Sequence, residues 1–201
     1  MNDSSRVPPA ESYGIVAIAS SAGGITALSR VLGGFPHDFP VPILVVQHLD
    51  PRHHTVIADV LSRRCQLPVR LAEADVRAEA GVVYVAPPNH HLLVGSGGVL
   101  SLSSSELVHF VRPSADLLFE SVAGAYGSRA IACVLTGSGR DGSMGVGAVK
   151  SRGGTVIAQD PQDAEFKGMP EAAVGTGAVD FILPLHEIAE VIAGLVGVSG
   201  S

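Results

Sequence analysis

Three side chains that together could hydrolyse an ester each follow a short apolar run of the sequence. Ser21 comes after the run in "GIVAIASSAGG", His48 after the run in "ILVVQHLDP", and Asp141 shortly after the run in "IACVLTGSGRDG". A serine hydroxyl becomes a nucleophile when a neutral imidazole takes its proton, and a carboxylate can orient that imidazole and stabilise its charged form. These residue types predict nucleophilic catalysis if the fold brings them together.

The elements that must position them alternate along the chain. Continuous apolar runs predict strands covered on both faces, and the segments between them have helical spacing. The predicted strands are 14–19, 42–47, 69–72, 82–86, 129–135, 155–158 and 179–183, and the predicted helices are 24–32, 55–64, 114–125, 143–151 and 185–196. The segment "HHLLVGSGGVLSLS" instead alternates around residues 95–98 and predicts a hairpin. We therefore expect an α/β fold: a doubly wound, mostly parallel sheet with helices on both faces and a small antiparallel hairpin.

This fold predicts where the three side chains meet. Ligands of an open parallel sheet bind beyond the carboxyl ends of its strands, and sequential strands are usually neighbours. Ser21 and His48 should therefore stand at one rim, with Asp141 at a third strand end. The chain order Ser, His, Asp differs from the order in α/β-hydrolases, which argues against that fold. Ser114 is the best candidate for a helix N-cap.

Each of these residues also has an ordinary structural interpretation: a serine that caps a helix, a hydrogen-bonded histidine, an aspartate in a glycine turn. A second function is a catalytically silent phosphate- or nucleotide-binding module. The spacing of Ala19, Ser21 and Gly24 copies a dinucleotide fingerprint. Side chains stand where its first two glycines belong, however, and the second glycine is what lets the backbone approach a pyrophosphate. The pattern thus favours the enzyme.

Length, composition and charge predict a single domain and argue against nucleic-acid and membrane partners. A chain of 201 residues with 46% apolar and 16% charged residues suits one domain with a substantial core. Its net charge of −6 argues against a nucleic-acid partner. No run approaches the ~18 apolar residues of a membrane span, so no membrane insertion is expected, and the lack of a signal pattern predicts a cytoplasmic protein.

Cysteines and histidines give no sign of a metal or a disulfide. Cys65 and Cys133 are far apart in the sequence and are expected to be buried thiols. The histidine pairs 53–54 and 90–91 are adjacent, so their side chains diverge, and no metal-binding spacing accompanies them. We expect no metal and no cofactor.

The motifs around these residues resemble the catalytic domain of the CheB protein-glutamate methylesterase family. The similar blocks occur in the family's order from residue 14 to residue 196: "IASSAGG", "VVQHLDP", "YVAPPNHHLLV", "RPSADLLFESVA", "TGSGRDGSMG" and "GMPEAAV". The resemblance implies hydrolysis of glutamyl methyl esters on the cytoplasmic helices of methyl-accepting chemoreceptors, often with deamidation of receptor glutamines.

The resemblance also implies roles for single residues. It gives Ser21 as nucleophile, His48 as base, Asp141 as acid, and the backbone amides of Ala22 and Ser138 as oxyanion donors. The sequence departs from the family at three positions, since the family often has glycine at Ala19, threonine at Ala22 and methionine at Ser138. The hydroxyl that a threonine would supply directly after the nucleophile is therefore absent here.

Residues 14–197 are expected to form the catalytic domain, after a flexible tail at residues 1–13. Family members commonly carry a phosphoacceptor receiver domain before the catalytic domain, and 13 residues leave no room for one. The expectation is that small phosphodonors do not activate this chain, and that any control comes from a separate regulatory polypeptide.

Overall fold

A computed structural model describes residues 12–48 and 56–198, which form a central sheet, a hairpin and six α-helices. The strands in chain order are β1 (Ile15–Ser20), β2 (Ile43–Gln47), β3 (Val69–Leu71), β4 (Val83–Val85), β5 (His91–Val94), β6 (Leu100–Ser103), β7 (Ala130–Val134), β8 (Thr155–Gln159) and β9 (Phe181–Leu183). The helices are α1 (Gly24–Gly33), α2 (Ile57–Ser62), α3 (Ala115–Tyr126), α4 (Ser143–Ser151), α5 (Gly168–Val174) and α6 (Leu185–Leu195).

Seven of the strands make one parallel sheet, in the order β3-β4-β2-β1-β7-β8-β9. The strands β5 and β6 pair separately and are antiparallel. Alternate residues of β1 enter different cores: Val16 and Ile18 pack with α1, α2 and α6, whereas Ala17 and Ala19 pack with α3, α4, α5 and the hairpin. Both faces of the sheet are thus covered, which is why its strands read as continuous apolar runs.

The position of β1 creates the crevice of the sheet. The strands β2, β3 and β4, which follow β1 in the chain, all lie on one side of it in the sheet. The later strands β7, β8 and β9 lie on its other side. The strand order therefore reverses between β1 and β7. Such a switch point leaves a crevice at the carboxyl ends of the two strands, where Ser21 and residues 135–141 emerge.

The predicted fold class is confirmed, with two differences in detail. The helix α5 was not predicted, because its seven residues include a glycine and a proline and lack a full helical repeat. The helix predicted at 55–64 covers only Ile57–Ser62, and residue 55 lies outside the described residues. Residues 1–11 of the expected tail also lie outside them. Within the described part of the chain, no helix is long and apolar enough to cross a membrane.

Candidate active site

A cleft of about 390 Å³ opens at this crevice. Its walls are Ser21, His48, Asp141 and the segments 109–111 and 138–140. The three side chains that the sequence singled out therefore face one cavity, although they come from three different strand ends. The turn at 109–111 was not anticipated as part of it.

His48 and Asp141 form the central contact of the cleft. Nε2 of His48 lies 2.8 Å from Oδ2 of Asp141, with 13% and 4% of the two side chains exposed. Burial by itself raises the pKa of the Asp141 carboxyl, but hydrogen bonds from His48 and the start of α3 outweigh it and hold the pKa below its usual value. An ionised carboxylate only accepts hydrogen bonds, so Nε2 carries the hydrogen. The Nδ1 atom of the neutral ring is then the one able to accept a proton.

The start of α3 holds the Asp141 carboxylate. The hydroxyl of Ser114 donates to Oδ1 at 2.8 Å, the amide of Ala115 donates to Oδ2 at 2.6 Å, and the amide of Asp116 donates to Oδ1 at 3.1 Å. Ser114 has the predicted N-cap position, but its side chain caps no amide of its own helix. The predicted N-cap position is confirmed, and Asp141, from a distant turn, accepts the amides at the start of α3.

A second carboxylate, that of Asp116, accepts hydrogen bonds from the first turn of α4. Oδ1 of Asp116, in the first turn of α3, accepts hydrogen bonds from the amides of Met144 at 3.0 Å and Gly145 at 2.8 Å. Each helix is thus capped by a residue associated with the other: Asp116 of α3 caps α4, and Asp141, just before α4, caps α3. Burial raises the pKa of Asp116, and the charge of Asp141 adds to the rise. Nε2 of His109 lies 3.2 Å from Asp116 Oδ2, an ion-pair distance without hydrogen-bond geometry.

Gln47 fixes the other half of the site. Its Oε1 accepts the hydroxyl of Ser20 at 2.7 Å, and its Nε2 donates to the carbonyls of Ser21 at 2.8 Å and His48 at 2.9 Å. One buried amide therefore ties the ends of β1 and β2, and with them the two residues that could exchange a proton. The sequence analysis missed Gln47; its signal was a polar residue at the end of a fully apolar strand.

Glycine at the start of α1 allows this arrangement. A Cβ at Gly24 would lie 2.0 Å from Oε1 of Gln47 and 2.7 Å from Oγ of Ser20. The backbone amide of Gly24 donates to the carbonyl of Ser21, and the amide of Ser21 donates to the carbonyl of Thr136. Two amides of the glycine-rich turn are thus already used inside the protein, and protein atoms fill the space beneath it. This weighs against the phosphate- or nucleotide-binding alternative.

The Ser21 hydroxyl and the two expected oxyanion donors complete the set of predicted site residues. Among the described residues, no hydrogen bond joins the Ser21 hydroxyl to His48, and contacts of this kind often tighten only when a substrate binds. The amides of Ala22 and Ser138, the expected oxyanion donors, donate to no other described residue. Ala22 follows Ser21 directly, and Ser138 lines the cleft.

The adjacent histidines 90 and 91 have protein partners. Nδ1 of His90 lies 3.0 Å from the carbonyl of Pro88, and Nε2 of His91 lies 3.0 Å from the carbonyl of Glu106. Within residues 12–48 and 56–198, no group of three potential metal ligands occurs. His53 and His54 lie outside the described residues, and the expectation that the protein needs no metal or cofactor stays a prediction.

Known proteins of one family are similar to this chain in sequence and in fold. The family model of the CheB methylesterase matches residues 16–192. A protein of Leptospira interrogans is 39% identical over 91% of this chain and 95% of its own length. Protein-glutamate methylesterase/protein-glutamine glutaminase 2 of Cupriavidus metallidurans is 44% identical over 87% of this chain, and protein-glutamate methylesterase FrzG of Myxococcus xanthus is 42% identical over 90%.

This chain spans about half of the length of the last two relatives, 52% and 54%. Among solved structures, the Thermotoga maritima CheB methylesterase catalytic domain superposes with a TM-score of 0.89 at 38% identity, covering 92% of this chain and 100% of that chain. Both the sequence match and the structural match extend over nearly the whole described fold. The chain belongs to the CheB methylesterase family.

Proposed function

We propose that this protein is a serine esterase that hydrolyses glutamyl methyl esters on methyl-accepting chemoreceptors. The observation that carries the proposal is the 2.8 Å contact between His48 Nε2 and Asp141, which leaves Nδ1 of His48 as the proton acceptor in a cleft that also contains Ser21. The family membership and the printed names of the relatives support the same reaction.

The reaction follows from these positions. Oγ of Ser21 attacks the ester carbonyl and its proton passes to Nδ1 of His48, while the ionised Asp141 stabilises the imidazolium. The amides of Ala22 and Ser138 donate to the oxyanion. When the intermediate collapses, the carbon–oxygen bond to the methoxy group breaks, and Nδ1 returns the proton to give methanol. Water then hydrolyses the acyl-enzyme by the same route, releasing the glutamate carboxylate and free Ser21.

Deamidation uses the same steps on a glutamine side chain, with ammonia as the leaving group. The names of relatives that include protein-glutamine glutaminase support this second substrate. It is the more demanding of the two reactions, because the amide ion is a poorer leaving group than methoxide, so departure of ammonia depends more on proton return from His48.

The test compares two adjacent serines. Ser21→Ala should lower methanol release from a methylated chemoreceptor by roughly three orders of magnitude or more, as loss of the nucleophile does in other serine hydrolases. Ser20→Ala should retain turnover and lose stability of about 1 kcal/mol, since Gln47 Oε1 loses its donor. Full activity of Ser21→Ala would refute the proposal. Protection of the wild type by nucleotide in a thermal melt, without ester hydrolysis, would favour the binding module.

A further inference from the structure

A tight turn on the rim of the cleft is held in an unfavourable backbone conformation. Val108 and Val111 exchange two backbone hydrogen bonds, of 3.1 and 2.9 Å, so His109 and Phe110 form the two-residue turn between them. Both have positive φ, 50° and 66°. Turns of this kind favour asparagine and glycine, and another side chain there costs on the order of 1 kcal/mol or more.

The neighbours of the turn keep it in place. The guanidinium of Arg112 donates to Oδ1 of Asn89 at 2.6 and 3.0 Å and to the carbonyls of residues 104 and 105 at 2.8 and 2.7 Å. On its other side, the ring of His109 lies at ion-pair distance from the buried carboxylate of Asp116. The strained conformation is therefore imposed by surrounding contacts, which is typical of functional sites.

The side chain of Phe110 is almost completely exposed to solvent. Its side chain is 94% exposed, whereas Phe35 and Phe119 are fully buried. An exposed aromatic ring forgoes the burial that makes phenylalanine stabilising, and aromatic residues in such places are frequent anchors of protein–protein contacts. Phe110 also belongs to the residues that line the cleft containing Ser21. Folding stability thus does not account for an exposed phenylalanine at this position of the turn.

Three other exposed apolar residues lie in segments close in sequence or by hydrogen bonds to residues of the cleft. Ile25 in the first turn of α1, Met144 in the first turn of α4 and Phe166 ahead of α5 are 38%, 64% and 41% exposed. The first two belong to helices that begin directly after the turns carrying Ser21 and Asp141, and the backbone of Phe166 hydrogen-bonds to residues 136 and 137, just after β7. These segments therefore add exposed apolar side chains to the surface near the cleft.

We propose that Phe110 is a specificity-determining residue that binds an apolar side chain of the substrate polypeptide next to the glutamyl ester. This inference rests on the proposed function, because it concerns the same cleft and the same substrate. The strained turn projects the ring beyond the protein surface, so the ring contacts the polypeptide that carries the ester. A small ester that enters the cleft alone would forgo most of this contact.

The test separates protein substrate from small substrate. Phe110→Gly removes the ring and suits a residue of positive φ. We expect kcat/KM for a methyl-esterified chemoreceptor to fall about tenfold or more, mainly through KM, and to fall much less for p-nitrophenyl acetate. The midpoint of thermal unfolding should stay or rise, because strain is relieved. Phe110→Leu should restore most of the activity on the receptor.

Leu107→Ala is the matched control, since Leu107 is 54% exposed in the same segment and lies outside the cleft wall. It should resemble the wild type with both esters. Equal losses of Phe110→Gly on both substrates, or a fall in melting temperature of more than about 3 °C, would overturn the inference in favour of a structural role. If wild-type protein hydrolyses neither ester, the proposed function fails instead; if it demethylates the receptor and Phe110→Gly does so equally well, only this inference fails.

Discussion

Asp141 links the chemistry of the cleft to the folding of the helix that holds it. Its carboxylate meets His48 on one side and accepts hydrogen bonds from Ser114, Ala115 and Asp116 on the other. The positive end of the α3 dipole favours a negative charge at the same place. A substitution at this residue should therefore affect both catalysis and stability, which distinguishes it from a substitution at Ser21.

Asp141→Asn should lower ester hydrolysis by about four orders of magnitude, because it removes the charge that orients and stabilises the imidazolium. It should also lower the free energy of unfolding by roughly 2 kcal/mol, since an amide group can accept only part of the donors from α3. Urea denaturation at pH 7 and a methanol-release assay measure the two effects. Ser21→Ala is the control, because it should lose activity with little change in stability.

The pH dependence of this stability difference has a definite sign. The pKa of Asp141 is lowered in the folded protein, so its contribution is fully present above the pKa of an unfolded aspartate, about 4, and is lost as pH falls through the lowered folded value. The stabilities of the wild type and of Asp141→Asn should therefore begin to converge below about pH 4 and continue to do so until the pH is below the lowered folded pKa. A difference in unfolding free energy that is unchanged between pH 7 and pH 3 would contradict this assignment.

At the scale of elements, the site depends on how closely α1 approaches the ends of β1 and β2. That approach is possible because Gly24 leaves room for the Gln47 amide. The helices α3 and α4 meet in a similarly close way, through carboxylates that cap each other's first turn. Both arrangements join segments that are far apart in the sequence.

Gly24→Ala should reduce stability by about 2 kcal/mol or more and remove most activity, because its Cβ would displace Gln47. Gly147→Ala is the matched control: it lies inside α4 and its Cβ would meet nothing within 4 Å. This substitution should stabilise the protein by about 0.5–1 kcal/mol through helix propensity alone. Chemical denaturation of both variants tests the pair, and equal effects would contradict the close-approach argument.

Periodicity and apolar runs predicted the strands of the sheet and the hairpin, because these patterns are local. The rim position of Ser21, His48 and Asp141 also followed from local patterns together with the rule for strand ends. Contacts between distant segments could not be predicted in this way. Nothing near Ser114 indicates that Asp141 takes its capping role, and nothing near Gln47 specifies which carbonyls it binds. Nothing in the sequence distinguishes Phe110 from other loop residues, because its positive φ and its exposure are visible only in the structure.

At the scale of the whole molecule, the reactivity of the Cys133 thiol can be used to measure opening of the sheet. It lies fully buried on β7, and burial raises the pKa of its thiol strongly. Cys65 was expected to be buried too, but it is only partly so. A buried, protonated thiol reacts only after the surrounding strands separate.

Thiol labelling of the native protein should therefore proceed in two phases. Cys65 should react first, and Cys133 should react at the rate of global opening, which slows as stabilising variants such as Gly147→Ala are introduced. A Cys65→Ser background isolates the second phase. Mass spectrometry of labelled protein over time measures it, and rapid labelling of Cys133 in the absence of denaturant would contradict the packing described for β7.

The reversal of strand order between β1 and β7 divides the candidate active site between two consecutive stretches of chain. Ser21 and His48 belong to the stretch that ends with β6, and Asp141 belongs to the stretch that begins with α3. A chain cut in the exposed segment 104–107 would give two fragments, neither with a complete trio. Ester hydrolysis regained on mixing them would then act as a complementation assay, and its concentration dependence would measure how tightly the two halves associate along the seam of β1 and β7.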